Sequence, residues 1–404
     1  MRSALTAVPR ALRTAVAERT RWPALDGIRG MAIVAVVVYH AFKLTGGWTS
    51  RKIRTDGVDW FWWPLGGGRL GVDLFFVLSG FLLWFSWKGI RGRNPTLARA
   101  TAEFVKGRAI RIIPPYFVML AVYVPLFASD LLTSADGVWH LLLFLTIQQY
   151  NEPQLPGLFN TPLWTLTVEV QFYVVMPIVA WVMRRTAPVV PLLAALALTL
   201  WWVDHRGVYP TSWLPGRADQ FVAGMALAAV VAGPGGGLVR LLRTRASAVV
   251  LCAAGVAIAL YHGSTLGLPR GHRYDEWMHP ALGLVLAALV AHLVVTEAPG
   301  RVHRWLEGDV PRLFGHLSYG IYLWHFPIYD HVLSWTGGRG EGLASVGAIV
   351  GLGLATAITC AAAALSYAWV ERPFLERKVR SSISPASEGS ASRESDGGRA
   401  AGGR

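Results

Sequence analysis

Apolar runs long enough to cross a lipid bilayer recur along most of the chain, separated by short segments that carry Gly, Pro and charge. A helix needs about 20 apolar residues to span the hydrocarbon core. A shorter run, Trp139–Ile147, is predicted to be an interfacial helix in an outer loop. The pattern predicts an all-α, polytopic membrane helix bundle of about ten transmembrane helices, at residues 25–44, 70–87, 111–129, 164–183, 188–203, 218–233, 246–262, 279–295, 313–332 and 344–370.

The distribution of Lys and Arg predicts the orientation of these spans. With the N-terminus inside, the inner segments hold 27 Lys and Arg and the outer loops hold 8. Cytoplasmic loops of membrane proteins are enriched in these residues. Both termini are therefore predicted to lie in the cytoplasm, in a multi-pass protein of a bacterial inner membrane. The net charge of +14 then reflects membrane orientation and membrane lipids rather than a nucleic-acid partner.

Three regions are expected along the chain. Residues 1–21 form a basic cytoplasmic segment that lies on the membrane surface. Residues 22–375 form the integral membrane domain, and residues 376–404 form a cytoplasmic tail expected to be disordered because it lacks an apolar period. The two cysteines, Cys252 and Cys360, both fall in predicted spans and offer no metal-ligand spacing. No metal site and no bound cofactor are therefore expected.

The first span, LDGIRGMAIVAVVVYH, carries ionisable residues near both of its ends. Arg29 and His40 are eleven residues apart, which is close to three helical turns, so they share one face and lie roughly 16 Å apart along the axis. Ionisable residues inside a membrane span are functional candidates because their burial in lipid is costly. Asp26 precedes them. The alternative is that Arg29 extends to the lipid head groups and His40 anchors the far end.

Two further segments carry polar candidates. The second span begins GVDLFFVLSGFLL, in which Asp73 needs a cation or a backbone donor, whereas Ser79 could serve packing alone. Arg108 and Arg111 share a helical face at the predicted cytoplasmic mouth. Paired guanidinium groups suit a phosphate-bearing ligand, although a loop that binds lipid phosphates would carry the same residues.

The fourth and ninth predicted spans each contain an unusual polar set. Glu169 lies inside TPLWTLTVEVQFYVVMP, where it either orients a base or forms a structural pair. The ninth span, FGHLSYGIYLWHFPI, has a polar stripe that faces a cavity or another polar helix, although interfacial anchoring explains its tyrosines equally well. The members of this set are Ser318, Tyr319, Tyr322 and His325.

Together and in this order, these motifs resemble the integral membrane acyltransferase-3 family. The resemblance rests on LDGIRG with Arg29 and His40, on GVDLFFVLSGFLL, on the Arg108/Arg111 pair before Pro114, on TPLWTLTVEVQFY and on LSYGIYLWH. It covers about residues 22–375 and includes a closing WVERP.

The resemblance implies transfer of an acyl group, commonly acetyl, from cytoplasmic acyl-CoA to a hydroxyl of a carbohydrate, glycolipid or secreted natural product. Acyl-CoA, above all acetyl-CoA, is thus the expected co-substrate, and a sugar-bearing or lipid-linked acceptor the expected partner. Arg108, Arg111 and Arg29 would hold the donor phosphates, and His40 would act as general base or carry the acyl group covalently. Glu169 would orient these groups. The residues expected to support them or to line the acceptor path are Asp26, Asp73, Ser79, Ser318, Tyr319, Tyr322 and His325.

Two other classes of function remain open at this point. A carrier or flippase for a lipid-linked or acylated sugar would use the same intramembrane charges without making bonds. A membrane sensor or scaffold would not depend on His40. Thioester consumption by the purified protein separates the first alternative from an enzyme, and the effect of removing His40 separates the second.

Overall fold

The computed structural model describes residues 2–17, 20–46, 63–148, 160–205, 213–234, 236–265 and 273–376. These residues are helical nearly throughout, and none of them lies in a β-strand. The prediction of an all-α fold is confirmed. The predicted disordered tail lies outside the described residues from residue 377 onward.

The longer helices of the described residues are labelled here in chain order. They are α1 (Arg2–Ala17), α2 (Pro23–Leu44), α3 (Leu70–Arg93), α4 (Leu97–Phe127), α5 (Ala135–Leu145), α6 (Trp164–Met183), α7 (Val189–His205), α8 (Ala218–Val231), α9 (Arg245–Thr265), α10 (Arg273–Val295), α11 (Asp309–Trp335) and α12 (Val346–Ser366). Shorter helical segments join them: Trp63–Gly67, Ser129–Leu132, Thr161–Leu163, Leu214–Arg217, Gly237–Leu242, Arg301–Leu306 and a π-helical turn at Tyr367–Glu371.

Each of the ten predicted spans falls on one of these helices, and the run predicted to be interfacial falls on α5. Among the described residues, five helical stretches are long and apolar enough to cross a membrane: Pro23–Leu44, Pro64–Arg93, Leu97–Phe127, Thr161–Met183 and Val346–Glu376. The chain is therefore a multi-pass membrane protein. Helices α7 and α8 are shorter than a full bilayer crossing needs, so the count of ten spans stays a prediction.

The basic N-terminal segment forms α1, which packs against the helix bundle. Ala11 and Ala15 are buried, in one apolar cluster with Leu317 of α11 and Tyr367 of the π-helical turn. Small side chains on this face of α1 let it approach the bundle closely.

Helices α2 and α11 pack closely and run in the same direction. A Cβ atom on Gly30 would meet the carbonyl of Pro311, and one on Gly315 would meet the carbonyl of Asp26. Further along both helices, His40 meets His325. Contacts therefore advance together along the two helices, which makes them parallel. Glycine permits this approach because it lacks the side chain that would separate the two backbones.

Helix α3 packs against α8 in the same parallel manner. Asp73, near the start of α3, contacts Arg217, which directly precedes α8. One to two turns further along α3, the two backbones approach closely at Gly80, which lies against the carbonyl of Phe221, and at Gly224, which lies against the carbonyl of Val77. In contrast, α11 and α12 are antiparallel. Helix α2 also packs against α3, and the site described below lies between α2, α3 and α11.

The glycine contacts of α2 and α11 predict a local cost for any added side chain. We expect Gly315→Ala to lower the free energy of unfolding by about 1–3 kcal/mol, the usual cost of overpacking, because its Cβ meets backbone rather than a movable side chain. Thermal unfolding in detergent measures this. Gly353→Ala on α12 is the matched control, since nothing lies within 4 Å of its Cβ position. Equal unfolding temperatures for the two variants would contradict the close packing.

Candidate functional site

Five helices, α2, α3, α4, α6 and α11, surround a cavity of about 140 Å³. Its apolar wall comes largely from α3. Eight of the twelve predicted site residues line the cavity, and each of the five helices contributes at least one of them. The polar residues that line it are Arg29, Ser79, Arg108, Arg111, Thr165, Glu169, Tyr173, Ser318, Tyr319 and Tyr322.

Three arginines from two helices meet at one end of this cavity. The Arg29 Nε–H donates to the carbonyl of Gly315 at 2.9 Å, and an Nη atom lies 3.2 Å from an Asp26 carboxylate oxygen. Arg108 and Arg111 lie one turn apart on α4, and Arg111 interacts electrostatically with Arg29. Three positive charges close together repel one another, so this cluster needs nearby negative charge, from carboxylates or from a ligand.

Glu169 is fixed beside the arginines by hydroxyl groups. The Ser79 hydroxyl donates to Glu169 Oε1 at 3.1 Å, and the Tyr173 hydroxyl donates to the same oxygen. Arg108 interacts with both Tyr173 and Glu169. Within the described chain, the buried Nε–H of Arg108 has no hydrogen-bond acceptor. Such an unpaired donor is costly when buried, and an anionic or carbonyl oxygen of a ligand would satisfy it.

Glu371 completes this charge cluster, and the sequence analysis did not single it out. It lies at the end of the π-helical turn, is buried, and interacts electrostatically with Arg29 and Arg111. A π-helical turn inserts one residue into a helix and is frequent at functional sites. The available signal was the position of Glu371 directly after the apolar run, inside the closing WVERP.

Histidines from α2 and α11 form a buried pair. His325 Nε2 lies 3.0 Å from His40 Nδ1, and the ring centroids are 5.0 Å apart. The other nitrogen of His325, Nδ1, lies 3.1 Å from the carbonyl oxygen of Ile321 and 2.9 Å from that of Tyr322. Two residues that the sequence places 285 positions apart thus share one hydrogen bond.

The histidine pair lies just beyond the cavity rather than on its wall. Val36 and Tyr322 line the cavity. His40 follows Val36 by four residues on α2, and His325 follows Tyr322 by three on α11. One helical turn advances about 5 Å. The histidine pair therefore lies about one helical turn beyond the wall of the cavity that the three arginines line. The direction from the arginines to the histidine pair is called the path below.

The hydroxyl groups along this path hold the helices together. The Tyr319 hydroxyl donates to the carbonyl of Ile112 at 2.9 Å, and the Ser318 hydroxyl donates to that of Gly315 at 2.8 Å. The Tyr322 hydroxyl donates to the carbonyl of Pro162 at 2.6 Å and accepts from Thr165 at 2.8 Å. The tyrosine bonds fix α11 against α4 and the start of α6, whereas the Ser318 bond lies within α11. All three hydroxyl groups place polar oxygens on the cavity wall.

Asp73 lies away from the cavity, in a second buried polar cluster. Its carboxylate forms an ion pair with Arg217 and accepts a hydrogen bond of 2.7 Å from the Gln220 amide. The Arg217 guanidinium also lies 5.5 Å from the Trp164 ring centroid. Asp73 thus joins α3 to the start of α8.

A comparison with known families decides the class of this site. The acyltransferase-3 family model, described as an acyltransferase domain, matches residues 22–368. The chain belongs to the acyltransferase-3 family. This membership identifies the protein as an acyltransferase.

Curated relatives of the chain are also acyl-transferring proteins. It is 28% identical over 352 residues to the peptidoglycan O-acetyltransferase OatA of Listeria monocytogenes, covering 78% of this chain and 50% of the relative. It is 28% identical over 384 residues to the putative peptidoglycan O-acetyltransferase YrhL of Bacillus subtilis, covering 89% and 56%. The chain thus spans about half the length of these two relatives.

A third relative matches over most of its own length. The chain is 26% identical over 389 residues to the putative membrane-bound transacylase BcsY of Komagataeibacter xylinus, covering 91% of this chain and 86% of the relative. No solved structure gives a significant match.

Because Asp73 forms an ion pair away from the cavity, its substitution should change the stability of the protein. We expect Asp73→Asn to lower the free energy of unfolding by about 3–5 kcal/mol, because it leaves the Arg217 charge buried without its carboxylate. Thermal or denaturant unfolding in detergent measures the loss. The double variant Asp73→Asn/Arg217→Met removes both charges and should recover part of it. A double variant less stable than Asp73→Asn alone would contradict this account.

Proposed function

We propose that the chain is a membrane O-acyltransferase that moves an acyl group, acetyl in the first instance, from cytoplasmic acyl-CoA to a hydroxyl group of a carbohydrate. One observation carries the proposal: Arg29, Arg108 and Arg111 line one cavity together with Val36 and Tyr322, and His40 and His325 lie about one helical turn beyond those last two residues. The names of the relatives OatA and YrhL support acetyl transfer to oxygen and a cell-envelope polysaccharide as the acceptor class.

The arginine end of the cavity is the proposed donor site. Guanidinium groups bind phosphate oxygens through paired, charge-assisted hydrogen bonds, and coenzyme A carries several such oxygens. The carboxylates of Asp26, Glu169 and Glu371 lie close enough to balance the three arginines when no ligand is present. A bound phosphate would replace this balance, and the unpaired Nε–H of Arg108 favours such an acceptor.

The chemical step follows from the position of His40. Its imidazole accepts the proton of the acceptor hydroxyl, whose oxygen then attacks the carbonyl carbon of the thioester. The new C–O bond forms, the C–S bond breaks, and the proton passes from His40 to the departing sulfur to give free coenzyme A. The imidazole thus ends the cycle as it began.

This mechanism needs the arginines and His40 at opposite ends of the path, and the proposed topology supplies that separation. We propose ten spans with both termini in the cytoplasm of a bacterial inner membrane. The parallel packing of α2 with α11, and of α3 with α8, supports this order, because alternating crossings give the first and ninth spans one direction and the second and sixth the other. The distribution of Lys and Arg supports the same orientation.

Donor consumption tests the proposal. In nanodiscs, with acetyl-CoA and a crude cell-envelope extract as acceptor, the protein should release free thiol, and His40→Ala should lower this rate by about 10²–10⁴-fold, the usual contribution of a general base. The release of thiol and the transfer of labelled acetyl are measured together. Equal rates in both proteins would remove His40 from the mechanism. No release by either protein, across several acyl-CoAs and acceptors, would favour a carrier.

The donor site makes a separate prediction. Arg108→Gln should raise the KM for acetyl-CoA by about 10- to 100-fold, because a hydrogen bond to a charged group contributes about 1.5–3 kcal/mol. Arg99→Gln is the matched control, since Arg99 is exposed on the same helix. Measurement at several salt concentrations gives the charge dependence. A KM unchanged by Arg108→Gln would place the donor phosphates elsewhere.

A further inference from the structure

We propose that His325 is a positioning residue that fixes the tautomer of His40 and leaves the His40 Nε2 lone pair free for the reaction. The inference rests on the proposed function, since it concerns how His40 is prepared for proton transfer. It depends on three contacts around the histidine pair: two of them together assign the proton of His325, and the third assigns the proton of His40.

The first assignment concerns the far side of His325. Its Nδ1 lies 3.1 Å from the carbonyl oxygen of Ile321 and 2.9 Å from the carbonyl oxygen of Tyr322. A carbonyl oxygen can only accept a hydrogen bond. Nδ1 must therefore carry a proton. In the neutral imidazole this leaves the lone pair on Nε2 of His325.

The second assignment follows across the pair. Nε2 of His325 lies 3.0 Å from Nδ1 of His40. Because Nε2 brings the lone pair, Nδ1 of His40 must bring the proton. Neutral His40 is then unprotonated at Nε2, which is the nitrogen that a general base or a nucleophile requires. The alternative, a His325 protonated at both nitrogens, would carry a positive charge in a fully buried position, which is costly.

Burial distinguishes the roles of the two rings. The exposed fraction of His325 is 0%, whereas that of His40 is 8%. Both rings are buried, and His40 is the one that keeps some exposed surface. We therefore assign the contact with substrate to His40 and the positioning role to His325. The neighbours of His40 also include the backbone carbonyl of Val36, one turn earlier on α2, the rings of Tyr39 and Phe326, and Lys43 one turn further along the helix.

A neutral orienting group suits this position in a membrane protein. A carboxylate would hold the imidazole equally well, but its charge would be costly to bury between two spans. The carbonyl groups of Ile321 and Tyr322 polarise His325, because hydrogen bonds in a chain strengthen one another. When His40 takes the proton of the acceptor, its Nδ1–H thus keeps an acceptor in His325 Nε2.

Substitutions of His325 test the inference by removing or keeping the atom that accepts the hydrogen bond from His40. His325→Phe keeps a planar ring without an acceptor, whereas His325→Gln keeps an amide oxygen near the position of Nε2. We expect His325→Phe to lower kcat by about 10²-fold with a KM for acetyl-CoA within about twofold of wild type. We expect His325→Gln to stay within about tenfold of the wild-type kcat. His331→Phe, on the same helix and next to Tyr123, is the control for ring replacement.

The outcomes separate this inference from the proposed function. If wild type and His331→Phe release no thiol from acetyl-CoA, the proposed function fails. If they are active and His325→Phe retains the wild-type kcat, the proposed function stands and the role of His325 is overturned. Equal losses in His325→Phe and His325→Gln that follow lower unfolding temperatures would also overturn it, because they indicate packing alone.

A spectroscopic measurement decides the matter even where His325→Phe does not fold. In ¹⁵N-histidine-labelled wild type, His325 should be protonated at Nδ1 only and His40 at Nδ1 only. His325→Gln and His40→Gln assign the two sets of resonances. A proton on Nε2 of neutral His40 would overturn the inference.

Discussion

The close parallel contact between α2 and α11 is the constraint on which the site depends. Glycines on both helices let the backbones approach, so that Arg29 reaches the carbonyl of Gly315. From that contact, His40 lies eleven residues further along α2, and His325 lies ten residues further along α11. Parallel helices rise equally per residue, so the first contact sets the second. Arg29 and the histidine pair are thus placed by one helix interface.

The second constraint is the need to satisfy buried polar groups without water. Asp26, Glu169 and Glu371 surround the arginines of the cavity, and hydroxyl groups hold Glu169 in place. Such clusters are stable only when most of their members are paired. The Nε–H of Arg108, a residue that lines the cavity, is an exception, since it has no hydrogen-bond acceptor in the described chain.

Periodicity and charge were sufficient to predict the helical fold and the segments that form it. All ten predicted spans fall on helices because a long apolar run in a membrane has few alternatives to the helix. The motifs also predicted eight of the ten polar residues that line the cavity. Local sequence could not predict which polar residues pair, since Asp73 meets Arg217 from 144 positions away. It therefore grouped Asp73 with the site, although Asp73 joins α3 to α8.

The contacts of Glu371 and of the histidine pair likewise could not be predicted from local sequence. A π-helical turn places Glu371 near Arg29 and Arg111, and no periodicity argument anticipates an inserted residue. His40 and His325 were both singled out from their spans, but their shared hydrogen bond depends on the register of α2 against α11. Tertiary packing, rather than the composition of either span, decides which nitrogen of His40 is free.

The most direct test of this account is the structure of the protein with a non-hydrolysable acyl-CoA analogue, measured by cryo-electron microscopy in nanodiscs. The decisive quantity is the position of the analogue along the path between the arginines and the histidine pair. The account predicts phosphate groups on Arg108 and Arg111 and the thioester carbonyl beside His40. An analogue bound with its phosphates away from these arginines, or with its carbonyl remote from His40, would contradict the account.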